Sequence, residues 1–177
     1  ACWFIQSRNG WNHAIDYYEI SGASIAEVVA DVRKKGYVLG KWVLPHDAKA
    51  RDFSTGKTQE QIFYSLGARP IRIIPRVGTK REGINAARMI FAQTRFDKTR
   101  CKRGIECLEN YQRKWDSKNN VFQEQPLHNW ASNGADAFQQ FALGSRGDSG
   151  NTEDNQFSRD ERGGLVAETA YNPHARR

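Results

Sequence analysis

Hydrophobic period changes again and again along the first 143 residues of this chain, and that change limits its fold more than anything else. Residues 2 to 7 and 13 to 20 are rich in aromatic and branched side chains and flank Asn9-Gly10. That dipeptide accepts the left-handed backbone of a tight hairpin turn, so two antiparallel strands are predicted. Ser24-Ile25-Ala26-Glu27 then has the spacing of a capping box, and Ile25, Val28, Val29 and Val32 recur at helical intervals until Gly36. Tyr37 to Leu44 reverts to a buried extended run, stopped by Pro45. A hairpin followed by helices alternating with strands leads to an α/β domain with a mixed sheet.

The alternation continues with a helix over Thr58 to Leu66, a short strand over Ile71 to Ile74 and a helix over Glu82 to Thr94, with Ile84, Ala87, Ile90 and Phe91 inward. A further helix is expected from about Arg103 to Trp115, and a last one over residues 130 to 143. In the last helix Ala131, Ala135, Phe138 and Ala142 form an apolar stripe, while Asn129, Ser132, Asn133, Asp136 and Gln140 fall on a polar one. Residues 1–143 therefore form the folded domain. Residues 144–177 read as a polar tail, disordered to about residue 160, with Leu165-Val166-Ala167 and Tyr171 as its only apolar part.

Charge divides along the same boundary. Residues 1–143 carry 22 bases against 14 acids, and residues 144–177 carry 5 against 6. An excess of base on the body suits a polyanionic partner such as DNA or RNA. Cys2, Cys101 and Cys107 are odd in number and lack metal-ligand spacing, so reduced buried thiols are expected. No apolar run is long enough to span a membrane, and no signal peptide precedes the first strand. The chain opens on Ala1 in what reads as the middle of a strand, as a piece of a larger protein would.

Ser54-Thr55-Gly56-Lys57-Thr58 imitates a phosphate-binding loop, but Arg51 stands where that loop needs a second glycine, and no buried strand precedes it. The segment is expected to be a plain loop with Thr58 near a helix start. Two carboxylates carry more chemistry. Asp47 follows His46 at the end of the Tyr37 to Leu44 strand, and Asp136 lies on the last helix. Each alone suits a structural role, Asp47 capping a turn and Asp136 solvated on its helix. Together they offer oxygens from separate elements to a hard cation such as Mg2+ or Mn2+. Arg69, Arg72, Arg76, Lys80 and Arg81 form one basic run, and Lys98, Arg100, Lys102 and Arg103 another. Trp115, Phe122 and Trp130 are expected in the core.

Trp42-Val43-Leu44-Pro45-His46-Asp47-Ala48 with Arg51, then Gly83-Ile84-Asn85-Ala86-Ala87-Arg88, then Cys107-Leu108 with Tyr111, Trp115 and Asp116 occur in order before His128-Asn129-Trp130-Ala131-Ser132-Asn133-Gly134-Ala135-Asp136-Ala137-Phe138. This series resembles the C-terminal nuclease domain of the large terminase subunit of tailed bacteriophages. The resemblance implies a ribonuclease H-like fold, a five-stranded mixed sheet flanked by helices. It also implies an endonuclease that cuts concatemeric double-stranded viral DNA with two metal ions, Mg2+ or Mn2+. Asp47 and Asp136 are then metal ligands and catalytic residues, with His46 beside the metals. Arg72, Arg76, Lys80, Arg81, Lys102 and Arg103 become candidates for contacting DNA. Portal protein and small terminase subunit are the partners implied, and the host cytoplasm, transiently at the procapsid, is the location.

This sequence departs from the family pattern in two ways. Asn129 and Asn133 stand where an acid and a histidine are common, and the first, central strand with its aspartate is expected upstream of Ala1. Without that strand two rows of backbone groups would lose their partners, each costing roughly 1 to 3 kcal/mol if buried. Asp16 is a weak substitute ligand because it lies within the hairpin. The rival reading is a decayed prophage remnant that binds DNA without cutting it. A cellular resolvase or ribonuclease on the same scaffold would explain the fold but not Pro45-His46-Asp47-Ala48 and Gly134-Ala135-Asp136-Ala137-Phe138.

Overall fold

The opening hairpin forms as its turn demands. Asn9 and Gly10 take φ of 53° and 75° between β1 (Cys2–Arg8) and β2 (Trp11–Tyr18), the left-handed pair that suits the strands' own twist. The computed structural model describes residues 1–52, 55–148 and 166–171.

Helix α1 (Ile25–Lys34) starts at the predicted box: the Ser24 hydroxyl accepts the Glu27 N–H at 3.3 Å, and the Glu27 carboxylate accepts the Ser24 N–H at 2.7 Å. Val28, Val29 and Val32 are its buried face. Strand β3 (Val38–Leu44) ends at Pro45 and turns into a 3-10 turn over His46–Lys49. Helix α2 (Gln59–Ser65) is capped by Thr58 and Gln61 in the same reciprocal way, so the loop that mimics a phosphate site ends in an ordinary helix cap. Ser54 lies outside the described residues. Strand β4 (Ile71–Ile73), helix α3 (Lys80–Phe91) and strand β5 (Thr94–Phe96) follow.

Helix α4 (Lys102–Glu109) stops well before Trp115, where the sequence predicts it to end. A separate two-stranded hairpin, β6 (Arg113–Asp116) and β7 (Val121–Pro126), takes over. Its turn explains the change. The Asp116 carboxylate accepts the N–H groups of Lys118 and Asn119 at 2.9 and 3.3 Å, and Asn120 takes a φ of 51°. Such an Asx turn competes with a continuing helix.

Helix α5 (Ser132–Asp148) runs past the expected end at residue 143, and β8 (Val166–Tyr171) lies in what reads as tail. The main sheet has the order β4-β3-β8-β1-β2-β5. Here β8 is antiparallel to β1 and parallel to β3, β4 is parallel to β3, and β5 is parallel to β2. The fold is thus mixed α/β. Its sheet has six strands rather than five, and the central place expected to be missing is taken by residues 166–171. A segment with two alanines, a valine and a tyrosine is apolar enough to lie inside a sheet covered on both faces.

Two cores lie on the two faces. One gathers Trp3, Ile5, Val43, Ile74, Phe138 and Phe141 under α3, α4 and α5, and the other gathers Phe4, Trp42, Leu44 and Phe63 with the α1 valines. The alternation Trp3/Ile5 against Cys2/Phe4 along β1 is the two-residue strand period, with both faces buried. All three cysteines are buried and unpaired in disulfides, as the sequence predicts.

Candidate carboxylate site

Parallel strands fix where the site residues stand. Because β3 and β4 run side by side in one direction, the chain leaves both at the same edge of the sheet. Asp47 follows β3 there, in the 3-10 turn, half-buried, with its carbonyl accepting the Ala50 N–H at 2.8 Å. His46 beside it is exposed. Lys80 follows β4 through residues 74–79 and opens α3. Sites in open α/β sheets collect at the carboxyl ends of parallel strands, where loops and helix starts meet.

Asp136 reaches Lys80 from α5. Lys80 Nζ lies 2.6 Å from Asp136 Oδ1, and the same oxygen accepts the Tyr111 hydroxyl and Gln139 Nε2, each at 3.2 Å. Burial, followed by the neighbouring Asp136 charge, pushes the Tyr111 phenol well above its ordinary range, so it remains a proton donor to the carboxylate. The Asp136 side chain is 23% exposed. It is therefore not the freely solvated helix residue that a polar stripe would give. Ser132 and Gln139 are buried as well, so α5 is covered on most of its circumference rather than along one stripe.

Three glycines set how closely the helices approach. A Cβ on Gly83 would lie 2.8 Å from Gln139 Oε1, and one on Gly134 would lie 2.7 Å from both Cys107 Cβ and the Tyr17 hydroxyl. A Cβ on Gly104 would run into the Trp3 and Tyr17 rings. The Trp3 indole N–H donates to the Gly134 carbonyl at 2.8 Å, which hangs the start of α5 on β1. Gly83 and Gly134 thus serve the packing of α3 and α4 against α5 that brings Asp136 to Lys80.

The basic residues divide. Lys80 and Arg81 begin α3, Lys102 and Arg103 begin α4, and Arg76 is exposed between β4 and α3. Helix starts carry partial positive charge, so bases there are unfavourable unless an anion lies nearby. Arg103 has such company within the chain: its Nε is 3.5 Å from Glu19, and its guanidinium lies 4.3 Å from the centre of the Trp130 ring. Arg72 sits within β4, half-buried. Trp115, Phe122 and Trp130 are 48%, 61% and 45% exposed, which corrects their expected place in the core. Asp16 is a structural residue, accepting Lys35 Nζ at 2.8 Å, the Tyr37 hydroxyl at 3.2 Å and the Tyr17 N–H at 2.7 Å.

The donor chemistry on offer is that of a hard cation. Asp47 and Asp136 provide oxygens, while burial raises all three thiols and keeps them protonated, Cys2 to about 11 and Cys101 to about 12. Among the described residues no group of three or more His, Cys, Asp or Glu side chains stands close enough to hold a metal ion. Sequence reasoning missed Gln139, although its i, i+3 spacing from Asp136 was visible, and it missed the ion pair to Lys80, which no local pattern encodes. An apolar hollow lined by Phe91, Phe96, Ile105 and Leu108 lies apart from these residues.

No family model matches this chain, and neither a curated protein nor a solved structure matches it.

Proposed function

We propose that this chain is the nuclease domain of a viral DNA-packaging terminase, ribonuclease H-like in fold, that hydrolyses phosphodiester bonds of concatemeric double-stranded DNA. The observation that carries the reading is the setting of Asp136: a partly buried carboxylate held by three donors, one of them the Lys80 ammonium at the start of the helix that follows β4. The four bases that open α3 and α4 supply sequence-independent phosphate contacts, which suits an enzyme acting on backbone rather than base edges.

Asp47 and Asp136 are the residues to hold Mg2+ or Mn2+, which when bound polarises a phosphate oxygen and lowers the pKa of a coordinated water. Tyr111 and Gln139 orient the Asp136 carboxylate by donating to Oδ1. Lys80 balances the Asp136 charge. Portal protein and small terminase subunit are the partners that go with this reading.

The test is plasmid nicking with Mn2+ by the chain and by Asp136→Ala and Asp47→Ala. Each variant is expected to lose at least about a hundredfold in rate, the order seen when a charged catalytic contact is removed. Equal nicking by all three proteins sinks the assignment. The Lys80 pair, which occupies the Asp136 carboxylate with a cation of the chain's own, favours a second reading, a DNA-binding remnant without cleavage. Retention of DNA in a gel shift with no nicking in either metal would select it.

A further inference from the structure

Helix α3 meets α5 through two residues of one face. Lys80 and Gly83 stand at helical spacing, so their positions are neighbours on the surface of α3. At Gly83 the helices approach closely, since a Cβ there would lie 2.8 Å from Gln139 Oε1. At Lys80 a long side chain spans the gap, and its ammonium ends 2.6 Å from Asp136 Oδ1.

The three donors on that oxygen differ in kind. Gln139 is buried at 4% exposure and Tyr111 is half-buried, both are neutral, and each donates to Asp136 Oδ1 at 3.2 Å. Lys80 is charged and 43% exposed. Its ammonium is strongly hydrated and rides on a flexible four-carbon stem, so it exchanges a carboxylate for water at small cost. Its place also disfavours a cation, because Lys80 is the first residue of α3 and meets the partial positive charge of the helix start. Among the described residues Asp136 is the acid that pairs with it. The lysine is therefore held by the carboxylate rather than by its own helix.

We propose that Lys80 competes with a divalent cation for Asp136: the ammonium gives way when an ion takes the carboxylate, while Tyr111 and Gln139 keep their hold on it. The proposal rests on reading Asp136 as a ligand of Mg2+ or Mn2+. Both cations seek one negative charge, and each repels the other at close range, so they exclude one another. The consequence is a raised metal requirement, since an ion has to replace an existing charge partner rather than meet an unpaired carboxylate.

The experiment is a Mn2+ titration of the full chain, with the free ion read by electron paramagnetic resonance. Lys80→Met removes the charge and keeps most of the stem, whereas Lys80→Arg keeps the charge. Lys80→Met is expected to bind Mn2+ at least about tenfold more tightly than the unaltered chain, the scale of repulsion between a divalent ion and a lysine a few ångströms away in water. Lys80→Arg is expected to bind as weakly as the unaltered chain, and adding Asp136→Asn to Lys80→Met is expected to abolish the gain. A merely structural pair would change the thermal midpoint and leave this order of Mn2+ affinities flat. Equal, Asp136-dependent affinity in Lys80→Met and the unaltered chain overturns the competition and leaves the metal reading standing, as does an equal gain in Lys80→Arg. Absence of any Asp136-dependent Mn2+ binding in all the proteins overturns both.

Discussion

Gly134 shows how much a single missing methyl group can decide. Its place against Cys107 and Tyr17 leaves no room for a side chain, and its carbonyl is the acceptor for Trp3. Gly134→Ala is expected to destabilise the fold by roughly 1 to 3 kcal/mol through overpacking, read as a lower urea midpoint with an unchanged slope. Buried thiols and a phenol on both faces of the sheet titrate late. Folding raises Cys2 from 9.0 to about 11 and Cys101 from 9.0 to about 12, and it raises the Tyr17 phenol further, chiefly by burial. The folded chain therefore keeps protons that the unfolded chain releases. Stability contributed by these groups is whole below pH 9.0 and declines as pH climbs toward 11 and 12. Urea midpoints at pH 7.5 and 10.5 check it, and a higher midpoint at the alkaline pH would contradict the sign.

At the scale of elements, the capping signals were the clearest text in the sequence. Ser24 with Glu27 and Thr58 with Gln61 each form the reciprocal bonds their spacing allows. Ser24→Ala is expected to cost roughly 0.5 to 2 kcal/mol, measured by thermal or urea unfolding. The Ser24 box was legible because both partners lie within four residues, whereas at Thr58 the sequence marked a helix start and the structure added Gln61 as its partner. Strand β8 was not legible, since Val166 to Tyr171 acquires its meaning only from β1 and β3, more than a hundred residues away. The β6–β7 hairpin was lost for a different reason. Ile105, Leu108, Tyr111 and Trp115 sustain a helical period across Asn110, while the decisive contacts are made by Asp116 further on. At the candidate site the two aspartates were visible as residue types in marked surroundings. Their partners Lys80 and Tyr111 became apparent only once α3, α5 and the α4–β6 connection were placed together.

For the whole molecule, the formal charge of +7 and the bases at the starts of two helices make binding to DNA a question of salt. Raising salt from 50 to 200 mM is expected to weaken DNA binding by at least about tenfold, with a linear slope on logarithmic axes. A flat dependence in a fluorescence-anisotropy titration would count against phosphate contacts as the source of affinity. The main sheet ends in two strands of three residues each, β4 and β5, which leave little backbone for another chain to pair with. The β6–β7 hairpin differs. In a sheet of two strands both are borders, and Trp115, Val121 and Phe122 stand exposed along them. Another extended chain can add there without disturbing either core, so sheet growth between molecules at high concentration would begin at this hairpin, well away from the buried strands.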